Sequence, residues 1–280
     1  MIDIHSHILP GVDDGSENMA MSIEIAKLYL ENGIKTVIAT PHYIDGSIAT
    51  SVKNNRTTLE ELRIELKKEE IELEILLGNE AYISLDLVKA IEGDEVSTLN
   101  GTRYILIELP MFGIPLYTED IIYGLLLKGY IPIIAHPERN TKIIEDPNIL
   151  YNYINKGALV QLNLPSLEGK YGEKIRETAE ILLAHNMVHF LGTDAHTNRG
   201  RSPKVKNALR ILESIVSTEE FECLTHKNAK LLLEDKLIDI KPPTKYNPKK
   251  QFFSPIKMIK KLQILCFKVA NLATLFLSLV

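Results

Sequence analysis

A chain of 280 residues with 45% hydrophobic and 25% charged content can bury a substantial core and suits one large domain or two small ones. Its two cysteines, Cys223 and Cys266, are too few for a disulfide framework or a zinc ribbon. The net charge of −5 includes eight lysines and no acidic residue after Asp239, so residues 1–240 carry −13, which disfavours the phosphate neutralisation of non-specific nucleic-acid binding.

Apolar runs of strand character alternate with segments whose apolar spacing is near 3.6. In chain order the pattern predicts a strand at Ile2–Ile4, a helix at Met19–Asn32 closed by Gly33, and a strand at Thr36–Ala39. A charged helical stretch around Asn55–Glu70 follows, then strand Glu72–Leu77, helix Leu85–Ile91, strand Tyr104–Ile107 and helix Thr118–Leu127. Strand Ile131–Ala135, helix Asn148–Lys156, strand Leu159–Leu162, helix Glu173–His185 and strand His189–Gly192 complete the series. Strand-then-helix order implies an α/β fold with a parallel sheet, and seven units without a glycine-rich phosphate loop favour a barrel over a dinucleotide fold. The barrel domain is expected to span 1–240. Residues 241–255, KPPTKYNPKKQFFSP, read as a linker, and 256–280 as a basic, largely apolar tail. The start MIDIHSHILPG has no basic-then-apolar signal region, so a cytoplasmic location is expected.

Histidines and carboxylates recur just after the apolar runs: His5 and His7, His42, Glu80, Glu108, His136, then Asp194 and His196. In a parallel barrel such positions converge on the C-terminal rim. Taken singly, each is more often a cap or a satisfied polar group than a ligand. His5-Ser6-His7 has more weight, because alternate residues of an extended segment face the same side, and Asp194-Ala195-His196 repeats that spacing. Imidazole and carboxylate without thiolate suit Mn, Fe, Zn or Mg. So many ligands exceed the needs of one catalytic zinc, and a multinuclear centre is the economical reading.

The ordered motifs DIHSHILPGVDDGS, TPHY, GNE, IELP, AHPERN and GTDAH resemble the PHP superfamily, the polymerase and histidinol phosphatase group. Within it they are most similar to the bacterial capsule-type (CpsB/CapC-like) metal-dependent protein-tyrosine phosphatases, over about residues 1–240. The resemblance implies a distorted (β/α)7 barrel with three divalent ions, of manganese type with Fe, Zn and Mg left open. One ion would take His5, His7 and Asp194, a second Glu108 and His136 with Glu80 bridging, and a third Asp14, His42 and His196. From the residues alone Asp14 also reads as a turn and helix-entry signal, and Asp13 competes with it.

Three divalent cations against four carboxylates would leave a positive pocket suited to a phosphate dianion, with metal-activated water as nucleophile. Arg139, three residues after His136, and Arg201, five after His196, match arginines of the family pattern and suit phosphoryl oxygens; Arg201 is favoured over Arg199. Cysteine-based phosphate chemistry is excluded, because the sixth residue after Cys223 is Ala229 and that after Cys266 is Leu272. His185, His189 and His226 fall in no ligand motif and read as structural. The implied partner is a phosphotyrosine protein, a membrane-associated bacterial tyrosine kinase of capsule or exopolysaccharide synthesis. A histidinol-phosphate-type small-molecule phosphatase and a metal-stabilised regulatory module are the competing readings. Lysines bordering the apolar tail would suit an anionic membrane surface, against packing on the barrel or on a partner.

Overall fold

The structure, a computed structural model, describes residues 1–49 and 51–248. The expected tail at 256–280 and part of the linker lie outside the described residues. Residues 241–247 of the linker form no helix or strand. Met1–Lys245 make one compact unit.

Ten strands are present among the described residues: β1 (Ile2–Ser6), β2 (Thr36–Ala39), β3 (His42–Ile44), β4 (Ile48–Ala49), β5 (Glu74–Leu77), β6 (Glu80–Tyr82), β7 (Tyr104–Glu108), β8 (Ile131–Ala135), β9 (Leu159–Asn163) and β10 (Phe190–Gly192). All seven expected strands appear. Hydrogen bonding divides the strands into two sheets, of order β1-β2-β5 and β10-β9-β8-β7-β6-β3-β4. Every pairing is parallel except the β3–β4 hairpin. A parallel bridge between Ser6 and Ala195 joins the end of β1 to the segment after β10.

The helices lie between strands, as βαβ crossovers require. Met19–Glu31 is capped by Asn18, whose side chain accepts from Met21 N at 3.0 Å, and Val52–Lys68 by Ser51, accepting from Asn54 N at 3.2 Å. Gly33, at φ +76°, follows the first helix in the left-handed conformation expected of a helix stop. The charged segment expected from Asn55 begins three residues earlier, at Val52. Beyond β10 the chain adds helices Lys206–Ile215, Thr218–Glu222 and Asn228–Leu233, with a π-helical turn at Cys223–Lys227.

Strand alternation creates two cores. One face, with Val37, Ile75, Ile105, Ile107, Ile134, Val160, Leu162 and Leu191, packs on the helices. The other, with Ile38, Tyr104, Leu106, Ile133, Ala135, Leu159 and Phe190, forms a smaller core that Ala229 and Leu232 join. Tyr104 and Phe190 meet there edge to face at 6.4 Å, a geometry contributing about 1 kcal/mol beyond burial. In β7, Tyr104 and Leu106 occupy this face and Glu108 continues it. In β9, Leu159 is followed on the same face by Gln161 and Asn163. The face is therefore apolar at one end of the strands and polar at the other, where the site lies. Among the described residues no helix is long and apolar enough to cross a membrane.

Candidate metal centre

His5 lies within β1 and His7 just beyond it; His42 opens β3 and Glu80 opens β6, and these two are register partners. Glu108 closes β7, His136 follows β8, and Asp194 and His196 follow β10. His136 (φ 30°) and Asp194 (φ 53°) occupy left-handed conformations that cost non-glycine residues about 1 kcal/mol or more each. Each turns the chain just where its side chain enters the cluster.

All nine sequence-predicted ligands come together. Glu80 Oε2 lies 3.1 Å from His5 Nε2, 3.2 Å from His7 Nε2 and 3.1 Å from His42 Nδ1, and Glu80 Oε1 lies 2.8 Å from His136 Nε2. Asp194 Oδ1 is 3.6 Å from His5 Nε2, 3.5 Å from His7 Nε2 and 3.4 Å from His196 Nδ1. Asp14 Oδ1 is 3.5 Å from both His42 Nε2 and His196 Nε2, and Glu108 is 3.8 Å from His42 and from His136. Three groups of donor atoms are close enough to share a cation: His7, Asp14, His42 and His196; His5, His7 and Glu80; and His42, Glu80 and Glu108.

The donor chemistry fits cations. The His5 Nδ1–H donates to Gln161 Oε1 at 2.8 Å, that of His7 to Asp13 Oδ2 at 2.7 Å, and that of His196 to the Asp194 carbonyl at 2.9 Å. These partners accept only, so each ring in its neutral form would present an Nε2 lone pair to the cluster. His5 Nε2 and His7 Nε2 face one another at 3.2 Å. Glu80 Oε2, Asp194 Oδ1, His42 Nδ1 and His196 Nε2 are buried without a hydrogen-bond partner. Lone pairs and carboxylate oxygens converging in this way repel unless positive charge lies among them. Without cations, burial and then the Glu80 carboxylate push Glu108 up to about 7.

Both predicted arginines reach the cluster through Asp194 Oδ2, which accepts from Arg139 Nη1 at 2.9 Å, Arg201 Nη2 at 2.7 Å and Asn163 Nδ2 at 2.8 Å. The His196 and Thr197 N–H groups donate to the Arg201 carbonyl, a closed loop that returns Arg201 to Asp194. Arg199 is on its exposed part. Arg201 Nε is buried without a hydrogen-bond partner, a cation edge left for an anion.

Asp13 and Asp14, left as competitors by sequence, divide the work: Asp14 faces His42 and His196, while Asp13 holds the outer nitrogen of His7 and accepts from His42 N at 2.9 Å and Gly15 N at 3.0 Å. Sequence reasoning missed this role of Asp13, and also Gln161, Asn163 and Glu138. Glu138 is buried and accepts from Asn163 N and Ser166 Oγ, which fixes the turn carrying Arg139. Gln161 Nε2 donates to Asn163 Oδ1 at 2.9 Å, so the two form one chain from His5 to Asp194. Their signal was present: two polar residues at i and i+2 in an otherwise apolar strand point to one side. The remaining histidines lie elsewhere: His185 Nδ1 donates to Ile181 O, His189 accepts from Val160 N, and His226 is exposed.

The chain is thus a parallel α/β protein with an imidazole–carboxylate cluster flanked by an arginine pair. It belongs to the capsular polysaccharide synthesis CpsB/CapC family, whose model matches residues 1–234. It is 40% identical over 252 residues to the tyrosine-protein phosphatase YwqE of Bacillus subtilis, covering 90% of this chain and 99% of the relative. It is 34% identical over 253 residues to the putative tyrosine-protein phosphatase CapC of Staphylococcus aureus, with the same coverage. A solved structure from work on YwqE and Streptococcus pneumoniae CpsB, described as unique metal-dependent tyrosine phosphatases, matches with a TM-score of 0.85 at 40% identity, covering 88% of this chain and all of that one.

Proposed function

We propose that this protein is a metal-dependent protein-tyrosine phosphatase, acting on a phosphotyrosine protein of capsule or exopolysaccharide synthesis, a membrane-associated bacterial tyrosine kinase, from the cytoplasmic side. The observation that carries the reading is the double use of Asp194: one oxygen faces three imidazoles, and the other holds two guanidinium groups. A cation site and an anion site therefore share one residue. The names of the relatives and of the family supply the substrate class.

His5, His7 and Asp194, Glu108 and His136 with Glu80 between, and Asp14, His42 and His196 would hold three divalent ions, for which manganese is the proposed metal. When bound, such ions supply Lewis-acid charge and an activated water for attack on phosphorus. The chain's own residues do the rest. Arg139 and Arg201 each commit one N–H to Asp194 and keep others for the phosphoryl oxygens, whose charge spreads in the transition state. Asp194, itself held by Asn163, anchors one N–H of each guanidinium beforehand, so both arginines are already at the site before reaction. A tyrosyl leaving group has a pKa of about 10 and needs little help from a general acid.

The fold reading that accompanies this is a distorted seven-stranded barrel over residues 1–240. It is supported by the Ser6–Ala195 bridge and by the common register of β2–β5 and β3–β6. The test is phosphatase assay on an aryl phosphate and a phosphotyrosine peptide after chelation and manganese add-back, with histidinol phosphate as competitor substrate. Activity should vanish and return with metal, favour the tyrosyl esters, and drop at least about 100-fold in His136→Ala and Arg139→Ala. Unchanged rates in both variants refute the site.

A further inference from the structure

One aromatic residue beside the arginine pair has no part in the reading above. Tyr171 lies in the loop Glu168–Gly172, between helices Leu164–Leu167 and Glu173–Ala184. The first of these helices starts directly after β9, so the loop rises from the end of the strand that carries Gln161 and Asn163. Two glycines shape it, Gly169 at φ +74° and Gly172 at φ +107°. Its backbone is closed by Gly169 N donating to Ser166 O at 3.1 Å and Gly172 N donating to Gly169 O at 3.0 Å. The loop is thus a fixed platform, and Ser166 at its base is the same residue that donates to Glu138.

The ring of Tyr171 lies under the guanidinium of Arg139, whose Cζ is 4.9 Å from the ring centroid. Arg139 is otherwise held at one point only among the described residues, Nη1 on Asp194 Oδ2. A guanidinium fixed by a single hydrogen bond can swivel about it, and phosphoryl recognition depends on the orientation of its planar fork. An aromatic face beneath the plane removes that freedom and attracts the cation.

We propose that Tyr171 is a positioning residue for phosphoryl transfer: its ring orients Arg139, so that the guanidinium edge not committed to Asp194 faces the phosphate. The proposal rests on the phosphatase reading. It assigns the function to the π face, which Tyr171→Phe keeps and Tyr171→Leu removes at similar bulk.

The experiment compares wild type, both Tyr171 variants, Arg139→Ala and the double variant Tyr171→Leu/Arg139→Ala, all loaded with manganese, on 4-nitrophenyl phosphate. Tyr171→Leu should lower kcat/KM about ten-fold and weaken inhibition by inorganic phosphate, as expected for losing one cation–aromatic contact. Metal content and melting temperature should stay at the wild-type values, and Tyr171→Phe should stay within about three-fold of wild type. In the Arg139→Ala background, Tyr171→Leu should add nothing, because the group it positions is gone. Wild-type rates in Tyr171→Leu, equal impairment of Tyr171→Phe, or additive losses in the double variant would each overturn the proposal. Failure of the wild type to hydrolyse the ester with metal would instead overturn the phosphatase reading itself.

Discussion

Replacing Asp13 by Asn tests whether the outer partner of His7 sets metal affinity. The Asp13 side chain is 1% exposed and accepts three N–H groups: His7 Nδ1 at 2.7 Å and His42 N at 2.9 Å on Oδ2, and Gly15 N at 3.0 Å on Oδ1. An amide of the same shape has one acceptor oxygen. Kept toward His7 and His42, it sets its own N–H groups against Gly15 N–H; turned round, it sets them against His7 Nδ1–H. The milder arrangement leaves Gly15 N–H unpaired, which costs about 1–3 kcal/mol of stability. It also replaces a charged acceptor of His7 with a neutral one, making Nε2 a poorer ligand. Loss of such an outer carboxylate lowers metal affinity about 10–100-fold, or roughly 1.4–2.7 kcal/mol. The assay is recovery of aryl phosphatase activity as chelated protein is titrated with manganese, with exposed Asp45→Asn as control. The midpoint should move to higher metal in Asp13→Asn alone, and activity at saturating metal should largely return. Coincident titration curves for wild type and Asp13→Asn refute the reasoning.

His189 is buried, its Nδ1 accepts from Val160 N at 3.1 Å, and burial lowers its pKa to about 4. Above the unfolded value of about 6.5 it is neutral in both states; as pH falls toward 4 only the unfolded chain gains the proton, and stability drops by up to about 3 kcal/mol. His189→Asn, which keeps an acceptor near the Nδ1 position, should flatten the pH dependence of urea unfolding across that window, and curves parallel to wild type count against the assignment. At Gly192 an added Cβ would stand 2.7 Å from both His5 Cβ and Gln161 Nε2. Gly192→Ala should therefore cost about 1–3 kcal/mol and shift the manganese midpoint, while Gly113→Ala, with nothing within 4 Å of its Cβ, should do neither. Equal melting temperatures and midpoints for the two alanine variants would show that the close approach at Gly192 is not limiting.

Eight of the nine candidate ligands were legible in the sequence because each follows an apolar run and parallel strands bring such ends to one side, whereas Asp14, in the turn GVDDGS, was reached only through the resemblance. The positions of Arg139 and Arg201 were legible only through the resemblance, since a guanidinium near a histidine in sequence carries no geometry of its own. Asp13 stood in the sequence only as a competitor of Asp14, and its place behind His7 was not legible there. Two adjacent carboxylates in a turn point in different directions, and which one faces the cluster depends on the path of Gly15, where an added Cβ would collide with His7. Tyr171 left no trace at all: a tyrosine between two glycines is an ordinary loop tyrosine until the loop is folded against Arg139.

The strand count shows why the remainder was hidden. Seven apolar runs were expected and ten strands are present among the described residues, because Thr36–Ile44 and Glu74–Tyr82 each contribute two and Ile48–Ala49 adds the hairpin strand β4. Thr36 pairs with Glu74 and, beyond the breaks, His42 pairs with Glu80, so the register is the same on both sides. Gly78 N donates to Ala39 O at 2.8 Å and Glu80 N to Pro41 O at 3.2 Å, carrying the pairing across the interruption. Pro41 has no N–H of its own to give. Thr40 N instead turns to Ser6 O at 2.7 Å, the residue between the first two histidines. At Gly78 a side chain would stand 2.7 Å from Leu99. Pro41 and Gly78 thus bend two neighbouring strands together, and the first residues after the bends are His42 and Glu80, whose Nδ1 and Oε2 lie 3.1 Å apart. Read as sequence, Pro41 and Gly78 end strands; in the fold they aim the next residue of each strand at the cluster.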